Sequence, residues 1–139
     1  MSEDVMRRAT AGDASASWEV FNRYEKDANQ FGLTAMEAYP FLKYAAQQGH
    51  LSAMRRLGVI LTGNDFGEPD YCASIEYLES FIKRTTGMPE YEEQIKSALY
   101  FLCAAYEGYG DVRCASNYYG RFKALVEGDD RYDHMVLEV

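Results

Sequence analysis

The sequence predicts an all-α protein, built as a right-handed α-solenoid of antiparallel helix pairs. Apolar residues recur at three- and four-residue spacing, and no clear two-residue alternation of the kind found in strands is present. Similar residues also recur at matched positions of successive helices, at periods of about 35 to 45 residues, which is typical of stacked helix pairs. The 139 residues are expected to form a single domain.

Glycine stops and N-cap residues divide the chain into seven predicted helices. These run over about 2–11, 14–28, 34–48, 51–61, 70–84, 91–107 and 111–127. Thr34 and Glu37 have the spacing of a capping box, which opens the third helix. Pro40 lies inside that helix and is expected to kink it or to delay its start. The tail from Asp129 can add one more short helix.

The matched positions predict three repeats with a half-repeat helix before them. The first helices match at Ala16, Ala53 and Ala98, and the second helices at Ala38, Ala73 and Ala115. The predicted divisions are a capping helix at 1–12, repeats at 13–50, 51–90 and 91–128, and a tail at 129–139. In this register Leu57 and Leu102 are predicted to be core residues.

The middle of the chain resembles Sel1-like repeats, which are relatives of the tetratricopeptide repeat. One group of residues resembles that family's second helix and closing turn: Ala38, Phe41-Leu42 and Ala45-Ala46-Gln47-Gln48-Gly49-His50. A second group resembles the next first helix and loop: Ala53, Leu57-Gly58, Asp70-Tyr71 and Ala73. The resemblance extends over residues 9 to 125, but Val20-Phe21 and Leu102-Cys103 replace the family's Leu-Gly. It implies a scaffold for protein contacts, an expectation from family alone.

The composition disfavours nucleic acid and membranes as partners. The formal net charge is -8, whereas both partners are bound mainly through lysine and arginine. The sparse cysteines and the lack of an apolar signal segment favour a cytoplasmic protein.

The residues that could carry chemistry are few, so we expect no enzyme, no cofactor and no metal. His50 lies in a closing turn, where it needs no functional explanation, and His134 lies in the tail. The three cysteines, Cys72, Cys103 and Cys114, match no zinc spacing and are explained by buried packing. An enzyme with an unrecognised site is the less favoured alternative.

A stripe on the first helices is the predicted binding site. It lies opposite the core side and carries residue types enriched at binding hot spots. Its members are Trp18, Asn22, Arg55, Arg56, Tyr100 and Phe101. The alternative is that the aromatic members pack between neighbouring repeats. A secondary acidic edge at Glu127, Asp129 and Asp130 fits a basic partner.

The expected function is therefore a protein–protein interaction module. Within this class, an inhibitor or immunity protein that neutralises a cognate toxin or enzyme by direct binding is one role. A regulatory adaptor or a chaperone scaffold is the alternative, and the sequence does not decide between them or fix the oligomeric state.

Overall fold

The computed structural model describes residues 2–28 and 31–135, and within these ranges the chain is helical without strands. The all-α prediction is confirmed. The α-helices are α1 (Ser2–Thr10), α2 (Ala14–Lys26), α3 (Ala35–Gln47), α4 (Leu51–Ile60), α5 (Tyr71–Thr85), α6 (Glu92–Tyr109) and α7 (Val112–Val126). Two short 3-10 helices cover Pro89–Tyr91 and Asp130–Met135, the second within the predicted tail. The second helix ends at Lys26, two residues before its predicted end at 28. Residue 1 of the predicted capping segment and the part of the predicted tail beyond 135 lie outside the described residues.

Each α-helix packs mainly against the helices that precede and follow it in the chain. In addition, α4 contacts α6, which is two helices further on. The helices therefore follow one another in space as they do in sequence. Each of the three predicted repeat ranges contains two of the α-helices, although the division into repeats remains a prediction.

Side-chain caps fix where most of these helices begin. Asp13, Asp70 and Asp111 each accept a hydrogen bond at 3.0 Å from the backbone N–H three residues further on. Thr34 and Glu37 form the predicted capping box, with hydrogen bonds of 3.2 Å and 2.9 Å. Pro40 does not delay the start of α3, because the capping box starts the helix at Ala35 and Pro40 lies inside it. The other expectation, that Pro40 kinks the helix, stays a prediction.

Among the described residues, most of the buried apolar side chains form three clusters that follow one another along the chain. The first joins α1 and α2 through Val5, Ala9, Ala16 and Val20. The second lies between α2, α3 and α4 and contains Leu57, and the third lies between α5, α6 and α7 and contains Leu102. Leu57 is 2% exposed and Leu102 is 0% exposed, so the prediction that both are core residues is confirmed.

The predicted register of α5 is wrong by one residue. Ser74, not Ala73, is the fully buried small residue, and its hydroxyl donates a 2.6 Å hydrogen bond to the carbonyl of Gly58. Leu78, four residues after Ser74, is then buried like Leu42, four residues after Ala38. The sequence could not separate Ala73 from Ser74 by size, and the neighbouring helix selects the residue that can hydrogen-bond its backbone.

Buried packing explains one of the three cysteines, not all of them. Cys103 is buried, Cys114 is half-buried, and Cys72 is exposed. Cys72 directly precedes Ala73, so the shift of register that buries Ser74 turns Cys72 outward.

Two glycines allow side chains of α5 to approach the neighbouring helices closely. A methyl group at Gly58 in α4 would lie 2.6 Å from Cγ of Leu78. A methyl group at Gly108 in α6 would lie 2.3 Å from the ring of Tyr71. Both separations are far below van der Waals contact, so the packing of α5 requires the absence of a side chain at these positions.

No helix in the described part of the chain is both long and apolar enough to cross a membrane.

Candidate protein-binding surfaces

The six residues of the predicted stripe lie on α2, α4 and α6, and all six are half-buried. We call this surface the first-helix face, and its members are Trp18, Asn22, Arg55, Arg56, Tyr100 and Phe101. The opposite sides of the same helices carry buried residues such as Ala16, Ala53 and Ala98, each 0% exposed. The prediction that this stripe lies opposite the core side is therefore confirmed on all three helices.

Two polar contacts connect the three helices across this face. Nε of Arg56 donates a 2.7 Å hydrogen bond to Glu25, and a second nitrogen of Arg56 bonds the other carboxylate oxygen. Nη1 of Arg55 donates a 3.3 Å hydrogen bond to the hydroxyl of Ser97. The first contact joins α4 to α2 and the second joins α4 to α6. Side-chain hydrogen bonds therefore link α4 to both α2 and α6 on this face.

The aromatic members of the face are also packing residues. The ring of Trp18 stacks on His50, with centroids 5.7 Å apart, and packs against the second buried cluster. The ring of Tyr100 lies 5.3 Å from both Phe101 and Phe122. These contacts support the alternative that the aromatics pack between helices, and their role in binding a partner stays a prediction.

Arg55 is the member of the face whose hydrogen-bonding capacity is least used. Its bond to Ser97 is long, and Nε is buried without a hydrogen-bond partner among the described residues. Burial lowers the pKa of Arg55, and the neighbouring charge of Arg56 lowers it further. A guanidinium remains charged under these conditions because its ordinary pKa is far above neutrality. The face therefore holds a cation with unused donors.

The charge of the face differs from the charge of the whole chain. The charged residues of α2 and α4 are Glu19, Arg23, Glu25, Lys26, Arg55 and Arg56. Of the six members of the first-helix face, Arg55 and Arg56 are charged and none is acidic, whereas the chain as a whole carries -8. Arg23 and Glu19 form an ion pair, as do Arg56 and Glu25, so Arg55 is the cation of α4 without a bonded carboxylate in the described structure. An acidic or carbonyl group is the complementary chemistry.

The secondary acidic edge is partly neutralised within the chain. Asp129 accepts hydrogen bonds from Arg131, the shortest at 2.6 Å, and this lowers the pKa of Asp129 to about 2. Glu127 and Asp130 are exposed and form no ion pair with a described residue. Of the three residues of this edge, Glu127 and Asp130 are therefore the open carboxylates, whereas Asp129 is paired with Arg131.

A groove on the outer side of α3 was missed by the sequence reasoning. It has a volume of about 560 Å³ and lies between α3 and the loop that follows α4. Tyr39 stacks on Phe66 of that loop at 4.8 Å, Lys43 lies over the Tyr39 ring, and Met36 is 87% exposed. The run Met36, Tyr39, Pro40 and Lys43 was visible in the sequence, but the partner Phe66 comes from a loop whose path no pattern predicted.

The described residues contain no group of three or more histidine, cysteine, aspartate or glutamate side chains placed to hold a metal ion.

Comparison of the chain with family models, with curated proteins and with solved structures found no match. The likeness to Sel1-like repeats therefore remains a resemblance in sequence pattern.

Proposed function

We propose that this chain is a protein-binding module and that the partner binds the first-helix face. In this proposal the helix pairs continue as a right-handed α-solenoid, and α2, α4 and α6 line its concave side. The consecutive packing of the helices and the additional contact of α4 with α6 support this arrangement. The function is binding and not catalysis, and the chain works in the cytoplasm.

The observation that carries the proposal is the incompletely bonded guanidinium of Arg55. Leaving buried donors of a charged group unpaired costs about 1–3 kcal/mol or more. A partner carboxylate or carbonyl oxygen that bonds the Nη donors of this guanidinium gains a charge-assisted hydrogen bond and balances the partly buried charge. Trp18 and Tyr100 on either side add broad, rigid contact area, as is common at interface hot spots.

The experiment uses a photoreactive amino acid to capture the partner in the cells that make the protein. Asn22, half-buried on the first-helix face, is replaced by p-benzoylphenylalanine, and the exposed Lys83 of α5 is replaced in a control. We expect a discrete cross-linked protein from position 22 and not from position 83. A captured protein common to both positions, or none from position 22, contradicts the proposal.

The captured partner then allows a quantitative test at Arg55. Arg55→Gln keeps most of the side-chain stem and removes the charge, so it should weaken binding by about 2 kcal/mol, as hot-spot residues do. Arg113→Gln, an exposed change on α7, is the matched control and should leave the affinity unchanged. Alanine variants of Trp18 and Tyr100 are less informative, because both rings pack against buried clusters and their loss also lowers stability.

The role within this class is decided by what binding does to the partner. An inhibitor or immunity protein abolishes the partner's activity at a one-to-one ratio. A regulatory adaptor or chaperone scaffold leaves an active or an unfolded partner in the complex. Assaying the captured protein with and without the chain separates these roles.

A further inference from the structure

A cavity of about 510 Å³ opens between α5, α6 and α7, away from the first-helix face. Its lining residues are Glu79, Tyr106, Cys114, Asn117, Tyr118 and Arg121. Glu79 comes from α5, Tyr106 from α6 and the others from α7. Three separate helices therefore contribute to one concave polar site.

Both tyrosines fix the carboxylate of Glu79 through the same oxygen. The hydroxyl of Tyr106 donates a 2.6 Å hydrogen bond to Oε2, and the hydroxyl of Tyr118 donates a 2.8 Å hydrogen bond to it. Burial and the bond to Glu79 raise the pKa of Tyr118 to about 12, and the same causes raise the pKa of Tyr106. Both phenols therefore stay protonated at neutral pH and remain donors. The second oxygen, Oε1, accepts no hydrogen bond from a described residue.

The two rings beside this carboxylate are nearly parallel. Their centroids lie 5.6 Å apart with planes at 11°. Arg121 lies over the Tyr118 ring, 5.2 Å from its centroid, but it forms no ion pair with Glu79. The cavity thus already accommodates a guanidinium on an aromatic face, while its carboxylate forms no ion pair with a cation in the described part of the chain.

We propose that this cavity takes the guanidinium of an arginine side chain from a protein partner, which bonds Oε1 of Glu79 and stacks beside Tyr106 and Tyr118. A planar guanidinium can donate to a carboxylate and lie against an aromatic ring at the same time, which an ammonium does less well. The assignment of the cation to a protein rests on the proposed function. It also gives the acidic chain a place for a basic residue at a distance from Arg55.

The direct test is a titration of the whole chain, labelled with ¹³C-tyrosine, with N-acetyl-arginine amide. We expect saturable shifts of the Tyr106 and Tyr118 ring signals, assigned from Tyr106→Phe and Tyr118→Phe. The citrulline analogue, which has nearly the same shape without the charge, should cause none. A lysine analogue that shifts these signals equally strongly overturns the choice of a guanidinium, and the absence of any saturable shift overturns the site.

Three variants separate binding from folding. Glu79→Gln retains an acceptor for the two phenols but loses the charge. It should therefore lower the affinity for the arginine analogue by about tenfold or more. Glu76→Gln, an exposed change on the same helix, should have no effect. Arg121→Gln removes the resident cation and should tighten binding by about threefold, because it relieves like-charge repulsion. Equal affinity in Glu79→Gln and wild type contradicts the proposal, whatever the stability of the variant.

The captured partner distinguishes this inference from the proposed function. If Arg55→Gln weakens the complex and Glu79→Gln does not, the result supports the proposed protein-binding function and contradicts the arginine site. If Glu79→Gln weakens the complex and Arg55→Gln does not, the arginine site stands and the first-helix face is not the docking surface.

Discussion

His50 shows how a single residue in a closing turn can be structural and still respond to pH. Its Nδ1 accepts a 3.3 Å hydrogen bond from the backbone N–H of Ala53, so His50 is the N-cap of α4. Its ring stacks on Trp18. Burial lowers the pKa of His50 below its ordinary value of 6.5. His50 thus lies in the turn between α3 and α4, as predicted, and its role as the cap of α4 was not predicted.

The sign of the resulting pH dependence follows from the lowered pKa. The folded state binds the proton more weakly than the unfolded state, so stability is lost as the pH falls through 6.5 towards the lower folded value. Protonation of Nδ1 also removes the acceptor that caps α4.

We therefore expect the free energy of unfolding to fall between about pH 7.5 and pH 5.5 in the wild type, and to fall less in His50→Asn. Asparagine is a good N-cap that does not titrate. Urea unfolding at several pH values measures the effect. His134→Asn, a change at an exposed histidine, should keep the wild-type slope. If the free energy of unfolding of His50→Asn depends on pH as steeply as that of the wild type, the cap at His50 is not the source of the pH dependence.

At the scale of the helices, close approach of α4 and α5 depends on Gly58. Leu78 fills the space that a side chain at position 58 would occupy. The carbonyl of Gly58 accepts a hydrogen bond from the hydroxyl of Ser74. The Leu57-Gly58 pair, part of the resemblance to Sel1-like repeats, thus has a physical role in this chain. One residue supplies the core side chain and the next allows the neighbouring helix to come near.

Gly58→Ala should lower the free energy of unfolding by about 1–3 kcal/mol, the usual cost of overpacking. Helix propensity alone predicts the opposite sign, a gain of up to about 1 kcal/mol. Gly120→Ala is the matched control, because Gly120 is also inside a helix and a methyl group there meets nothing within 4 Å. It should be neutral or stabilising. Denaturant unfolding of both variants checks the prediction, and equal effects at the two positions would contradict it.

At the scale of the whole molecule, the buried clusters are distinct but connected. Leu51 packs against both the cluster that contains Leu57 and the cluster that contains Leu102. The contact of α4 with α6 and the bond from Arg55 to Ser97 provide further connections. We infer that these connections make the helices unfold together.

Leu57→Ala and Leu102→Ala should each lower the free energy of unfolding by about 2–5 kcal/mol, the range for large-to-small core changes. Trp18, the single tryptophan, reports on α2 by fluorescence, and far-ultraviolet circular dichroism reports on all helices. For Leu102→Ala we expect the unfolding transitions followed by fluorescence and by circular dichroism to shift together. Leu125→Ala, a change at a residue 48% exposed, should stay within about 0.5 kcal/mol of wild type. A tryptophan transition that stays in place while circular dichroism shifts would show that the clusters unfold independently.

Features that depend on local chemistry were predictable from the amino-acid sequence. Helix starts follow from side chains that bond the backbone three residues away, as at Thr34 and Asp70, and this information lies within one turn of the chain. The core sides of the first helices followed from periodicity, because Ala16, Ala53 and Ala98 are each followed four residues later by a larger apolar residue that is also buried.

Features that depend on a neighbouring helix or loop are set by contacts between residues far apart in the sequence. Ala73 and Ser74 are both small, so only the carbonyl of Gly58 selects Ser74 for burial. Arg55 and Arg56 are adjacent and identical in type, yet Glu25 pairs with Arg56 and leaves Arg55 with a single weak partner. A rotation of about 100° between consecutive helical residues sends their side chains to different neighbours, and no pattern in the sequence records which neighbour is there.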